Sequence, residues 1–100
     1  MTLDKNGYAP SVICEQKKCY LCGAEGDLVR HEVYHGSNRR KSKELGAWVW
    51  LCVPCHQKVH HPPKDGWNRD LWLKSNCYGL VCYAHDWNDE DFRRGFGKKY

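Results

Sequence analysis

No stretch of this sequence stays apolar for long: the most extended run, residues 47–53, is far short of the roughly 20 residues that a helix needs to span a bilayer. A membrane partner is therefore not expected. The opening MTLDKNGYAP lacks the apolar core of a secretory leader, and the 7 cysteines are odd in number, which argues against a disulfide framework. A reducing, cytoplasmic setting suits the chain better, and there cysteines read as zinc ligands. Internal repeats and low-complexity tracts are also missing. What remains at 100 residues is one domain, long enough for a core but small enough to need a staple.

Against these absences stands the segment CVPCHQKVH at residues 52–60, which nests one metal-ligand spacing inside another. Cys52 and Cys55 form a knuckle that can pinch a zinc, while His56 and His60 at i and i+4 share one face of a helix. Two metal sites are implied. The first half is completed by CYLCG, where Cys19 and Cys22 repeat the knuckle spacing and Gly23 supplies the positive φ of a tight turn. With 29 residues between the pairs, four thiolates can close a tetrahedral structural zinc. Cys14, Cys77 and Cys82 have no such spacing and read as small apolar residues, although Cys14 could replace a knuckle cysteine.

Punctuation along the chain gives the organisation. Residues 1–18 form a partly ordered arm. Residues 28–34 favour a strand, and residues 37–45 suit a basic helix stopped by Gly46. Residues 47–51, AWVWL, are rich in strand formers. A helix starting at Pro54 carries Cys55, His56 and His60 and ends at His61, Pro62 and Pro63. After a turn at residues 64–66, Asn68 or Asp70 caps a helix reaching about Ala84, with Leu71, Tyr78, Val81 and Cys82 at core-like spacing. Residues 88–94 suit a last short helix, acidic at its start and basic at its end. Trp48, Trp50 and Trp72 are expected in the core.

The net charge is +4, and Arg39, Arg40, Lys41 and Lys43 fall within five positions, with Arg30 upstream. Such a cluster suits phosphate contacts, although for an isolated run a solvated loop or helix face is the simpler account. Knuckle, hairpin and knuckle-bearing helix together make a treble-clef arrangement. A third partner for His56 and His60 is expected from RHEVYHGSNRRK at residues 30–41, which offers His31 and His35.

At this point the chain resembles the HNH nuclease family, in particular small phage and prophage members with zinc knuckles. Their pattern, approximately R-H-H-I-F-G-G-A-N-R-K-x-S, then an apolar strand, L-C-x-x-C/H-H and V-H, matches Arg30, His31, Val33, Gly36, Asn38, Arg39, Lys41, Ser42, Leu51, Cys52, His56, Val59 and His60. The end, DFRRGFGKKY, resembles the family tail F-x-x-x-F-G-K-x-Y, so the likeness covers about residues 19–100. The resemblance implies an α+β fold: a treble-clef zinc domain with a ββα-metal core over residues 19–66 and a C-terminal helical extension over residues 67–100. It implies a DNA endonuclease or nickase, encoded by a phage or prophage and acting in the bacterial cytoplasm. His31, His56 and His60 would hold a catalytic divalent ion (Mg²⁺, Mn²⁺, Ni²⁺ or Zn²⁺), with Asn38 bracing the hairpin. Arg30, Arg39, Arg40, Lys41 and Lys43 would meet the DNA backbone, and the products would carry a 5′-phosphate and a 3′-hydroxyl.

One position departs from the pattern. Glu32 stands where the family carries its second histidine, the usual general base. The base is then Glu32 itself, or His31 with fewer metal ligands, or His35; strand alternation puts His31 and His35 on one face. A further alternative is lost cleavage, leaving a zinc-stabilised nucleic-acid-binding module or a phage adaptor.

Overall fold

The computed structural model describes residues 3–97; Lys98 and Tyr100 of the tail motif lie outside them. The architecture is α+β, among the described residues a two-stranded antiparallel sheet with four helices. Strand β1 (Leu28–Glu32) pairs with β2 (Trp48–Cys52), placing Leu28 opposite Cys52 and His31 opposite Val49. Between them lie a 3-10 turn (Gly36–Asn38) and helix α1 (Arg39–Glu44), so the expected basic helix is real but broken at Asn38. Helix α2 (Val53–His60) follows β2 directly, with Cys52 at its N-cap and Pro54 in its first turn. Helices α3 (Arg69–His85) and α4 (Asp89–Phe96) complete the chain. None of the described helices is long and apolar enough to cross a membrane.

The first strand stops two residues earlier than its β-branched pattern predicts. The chain turns inward there: Val33 and Tyr34 are both buried, and the Tyr34 N–H donates to Ser42 Oγ instead of continuing the ladder. Tyr34 then packs against Phe92 and Phe96, with ring centroids 5.1 and 4.7 Å away, and its hydroxyl donates to the Lys74 carbonyl. This ring cluster ties the hairpin to α3 and α4.

The arm is more fixed than expected of a partly ordered segment. It carries no strand or helix among the described residues, yet Ser11 Oγ donates to the Trp48 carbonyl at 2.7 Å and Trp48 Nε1 donates to the Ala9 carbonyl at 2.7 Å. Gly46, at φ +73°, is the crossing point. A Cβ there would run into the Pro10 carbonyl oxygen.

Two expectations for α3 are corrected. Its buried face is Leu73, Cys77 and Val81, so Leu71, expected in the core, is 53 % exposed. Trp72 likewise lies outward, 41 % exposed, and Trp50 is half-buried, leaving Trp48 as the buried member of the three. Asn68 caps α3 as expected, accepting from the Leu71 N–H at 3.0 Å.

Candidate metal centres

The cysteine site is assembled at one end of the sheet, where the start of β1 faces the end of β2. The Cys19 carbonyl accepts from Gly23 N–H at 2.8 Å, closing the knuckle turn, with Gly23 at φ +82° as its composition predicts. Tyr20 N–H donates to the Trp50 carbonyl at 2.8 Å, which fastens this turn to β2. Cys52 at the end of β2 and Cys55 in the first turn of α2 complete the set. The four Sγ atoms lie within 4.8 Å of one another, and Cys22 Sγ is 3.6 Å from Cys52 Sγ. A tetrahedron with Zn–S bonds of about 2.3 Å has sulfur edges of about 3.8 Å, so the donors fit a structural metal such as zinc.

Electrostatics favour the thiolate at Cys19. Burial raises the Cys19 pKa, but backbone N–H groups of Cys52, Cys22 and Leu21 outweigh it and bring the thiol down to about 6. Burial and hydrogen bonds to the other three thiols push Cys55 the opposite way. Cys14 packs beside the core outside the four-sulfur group, and Cys77 is buried.

The second cluster is nitrogen-lined. His31 from β1 and His56 and His60 from α2 each present a ligand nitrogen within 4.8 Å of the others. His56 Nε2 and His60 Nε2 are 3.1 Å apart. Adjacent ligands at about 2.0–2.1 Å from one ion are separated by about 2.9–3.4 Å, so these two can share it. His31 is 2 % exposed, and its Nε2 is buried with no hydrogen-bond partner among the described residues. Such an orphaned nitrogen is costly unless something binds it. Burial, then the neighbouring His56 and His60, lowers the His31 pKa to about 3, leaving the neutral imidazole that metals require.

A cavity of about 290 Å³ opens on this cluster, lined in part by Arg30, Glu32, His35 and Arg39. His35 sits 5.9 Å, centroid to centroid, from both His31 and His60. It remains beside His31 although the strand alternation invoked for it ends at Glu32. Its Nε2 lies 2.8 Å from Asp70 Oδ1, and Lys74 Nζ donates to Asp70 Oδ2 at 2.9 Å. Asp70 was expected only as a possible helix cap. No local spacing signals its meeting with His35, 35 residues away. Glu32 is almost wholly buried and accepts from Arg39 Nε at 2.7 Å. Burial raises its pKa, but the Arg39 hydrogen bond and charge, with help from Tyr8, hold the carboxyl below its usual range.

The remaining expected site residues are largely engaged inside the protein. Asn38 Nδ2 donates to the Phe96 carbonyl at 2.7 Å, so it braces the end of α4 rather than the hairpin. Lys41 Nζ donates to the neighbouring Gly95 carbonyl at 2.8 Å. Arg30 pairs with Asp4 at 2.8 Å and lies over the Tyr8, Trp48 and Trp50 rings. Lys43 lies over Tyr8, and the exposed Arg40 pairs with Glu44. The structure thus brings Arg30 and Arg39 to the cavity wall but gives the other three cations separate duties.

Comparison with protein-family models, curated proteins and solved structures yields no match to this chain.

Proposed function

We propose that the chain is a metal-dependent HNH-type DNA endonuclease or nickase, built as a treble clef whose four-cysteine zinc supports a ββα-metal site. The observation that carries this reading is the buried, unpartnered His31 Nε2 beside His56 and His60, in a cavity rimmed by Arg39. His31, His56 and His60 are the residues that would hold a divalent ion. Such an ion supplies Lewis-acid stabilisation of charge on the phosphate and the departing 3′ oxygen.

The protein's own groups account for the proton. An ionised Asp70 carboxylate can only accept, so His35 Nε2 carries the hydrogen, and in the neutral ring Nδ1 holds the lone pair. His35 Nδ1 is therefore the general base that takes the proton from water, with Asp70 orienting the ring and Lys74 anchoring Asp70. Glu32 is unsuited to that role because its carboxylate is committed to Arg39. Phosphate contacts through Arg39 are sequence-tolerant.

The test is incubation of supercoiled plasmid with Mg²⁺, Mn²⁺ or Ni²⁺, using His56→Ala as control. Metal-dependent nicking that is lost in the variant is expected. Absence of nicking with every ion, or equal nicking by the variant, sinks the reading and leaves a zinc-stabilised binding module.

A further inference from the structure

The residue that departs from the nuclease pattern has its own place in the cavity wall. Glu32 closes β1 directly after His31, and its side chain is 7 % exposed. Arg39 opens α1, and its side chain is 69 % exposed. The bond between them uses Arg39 Nε and Glu32 Oε1, while neither Arg39 Nη nitrogen has a partner among the described residues. Both residues line the cavity with the four histidines.

We infer that Glu32 is a positioning residue: it holds the Arg39 guanidinium at the cavity rim so that the two Nη groups meet the non-bridging oxygens of the phosphate to be cleaved. This rests on the proposed nuclease reading and assigns the substrate contact within it. A buried carboxylate beside a phosphate would repel it, and only a paired one is tolerable there. Arg39 provides that pairing through Nε, which keeps its outer edge available for a second acceptor. A guanidinium fork can bridge two oxygens in this way, whereas an ammonium acts as a point charge. Because the pair is close to neutral, its contribution lies in orientation near the reacting phosphate rather than in long-range attraction of DNA.

The inference makes the two residues one functional unit. Glu32→Ala and Arg39→Ala should each lower kcat by about 10–100-fold, the loss expected when a contact is misplaced by about an ångström. The double variant should be no worse than Arg39→Ala alone. Affinity for a non-cleavable duplex should hold or rise in Glu32→Ala, since a negative charge is removed. Arg39→Lys, which keeps the charge but loses the fork, should behave like Glu32→Ala. Losses that multiply in the double variant, as they would for a general base or a purely structural Glu32, overturn the assignment. So does full activity in Arg39→Lys.

A second measurement is independent of cleavage. In ¹⁵N-edited NMR spectra of the zinc-loaded protein, inorganic phosphate should shift the Arg39 guanidinium signals, and Glu32→Gln should abolish or halve that response. If the protein nicks nothing but this response is present and depends on Glu32, the nuclease reading fails while the positioning role stands. No shift in the unaltered protein overturns the role.

Discussion

Around the histidine cluster, single atoms decide what each side chain can do. Asp70 takes His35 on one oxygen and Lys74 on the other. Burial raises the Asp70 pKa, but those two hydrogen bonds outweigh it and hold the carboxyl below its ordinary 3.8. A carboxyl depressed on folding stabilises the protein above its unfolded pKa, and the contribution disappears as pH falls through the folded value. Asp70→Asn should therefore destabilise by about 1–3 kcal/mol near neutrality. The gap between the two proteins in urea melts should close below pH 3.8, and a gap that widens on acidification contradicts the assignment. On the proposed nuclease reading, His35→Ala should lower kcat by about 10²–10⁴-fold, as loss of a positioned base does. Unchanged nicking by His35→Ala removes His35 from the mechanism.

At the scale of elements, the joints matter more than the helices themselves. Gly46 separates α1 from β2, and the Val12 N–H donates to its carbonyl at 3.0 Å. Gly46→Ala combines a left-handed backbone cost of about 1–2 kcal/mol with a methyl group driven into the Pro10 carbonyl oxygen. It should cost more than about 2 kcal/mol in a denaturant melt and loosen the arm, read as faster amide exchange at Ala9 and Val12. Protection equal to that of the unaltered protein would mean that the arm is not held at this crossing. Such joints also mark where the sequence is readable. Gly46, Pro54, Asn68 and Asn88 announce their elements because capping and breaking are local chemistry. The buried face of α3 is different, since two apolar stripes interleave there, one through Leu71, Tyr78 and Cys82 and one through Leu73, Cys77 and Val81. Packing against the rest of the fold selects the second stripe, and helical period alone cannot. The sites divide in the same way. The four cysteines and the His56/His60 pair follow from short spacings and His31 from the family resemblance, whereas Asp70 beside His35 and Gly95 beside Lys41 are contacts between distant segments that no local pattern encodes.

For the molecule as a whole, the cysteine site has to precede the histidine site. The radius of gyration, 13.2 Å, is what a folded chain of this length has. Yet α3 leaves Leu71, Trp72, Leu80 and Tyr83 outward, so burial there is incomplete. Helix α2 has 8 residues, fewer than the roughly 12–15 at which an isolated helix becomes even marginally stable. Its direction depends on Cys52 and Cys55 at its start, and that direction aims His56 and His60 at His31. Structural zinc in small peptides contributes about 10–16 kcal/mol of folding free energy, more than a core of this size supplies. Metal loss should consequently be one-sided. With both sites filled, elemental analysis should find two ions per chain, and His56→Ala should retain the cysteine-bound one together with a cooperative thermal transition. Cys22→Ser, placed at an exposed ligand, should lose both ions and the transition together. A Cys22→Ser protein that still melts cooperatively and keeps an ion at the histidines would show that the hairpin and α2 orient one another without zinc.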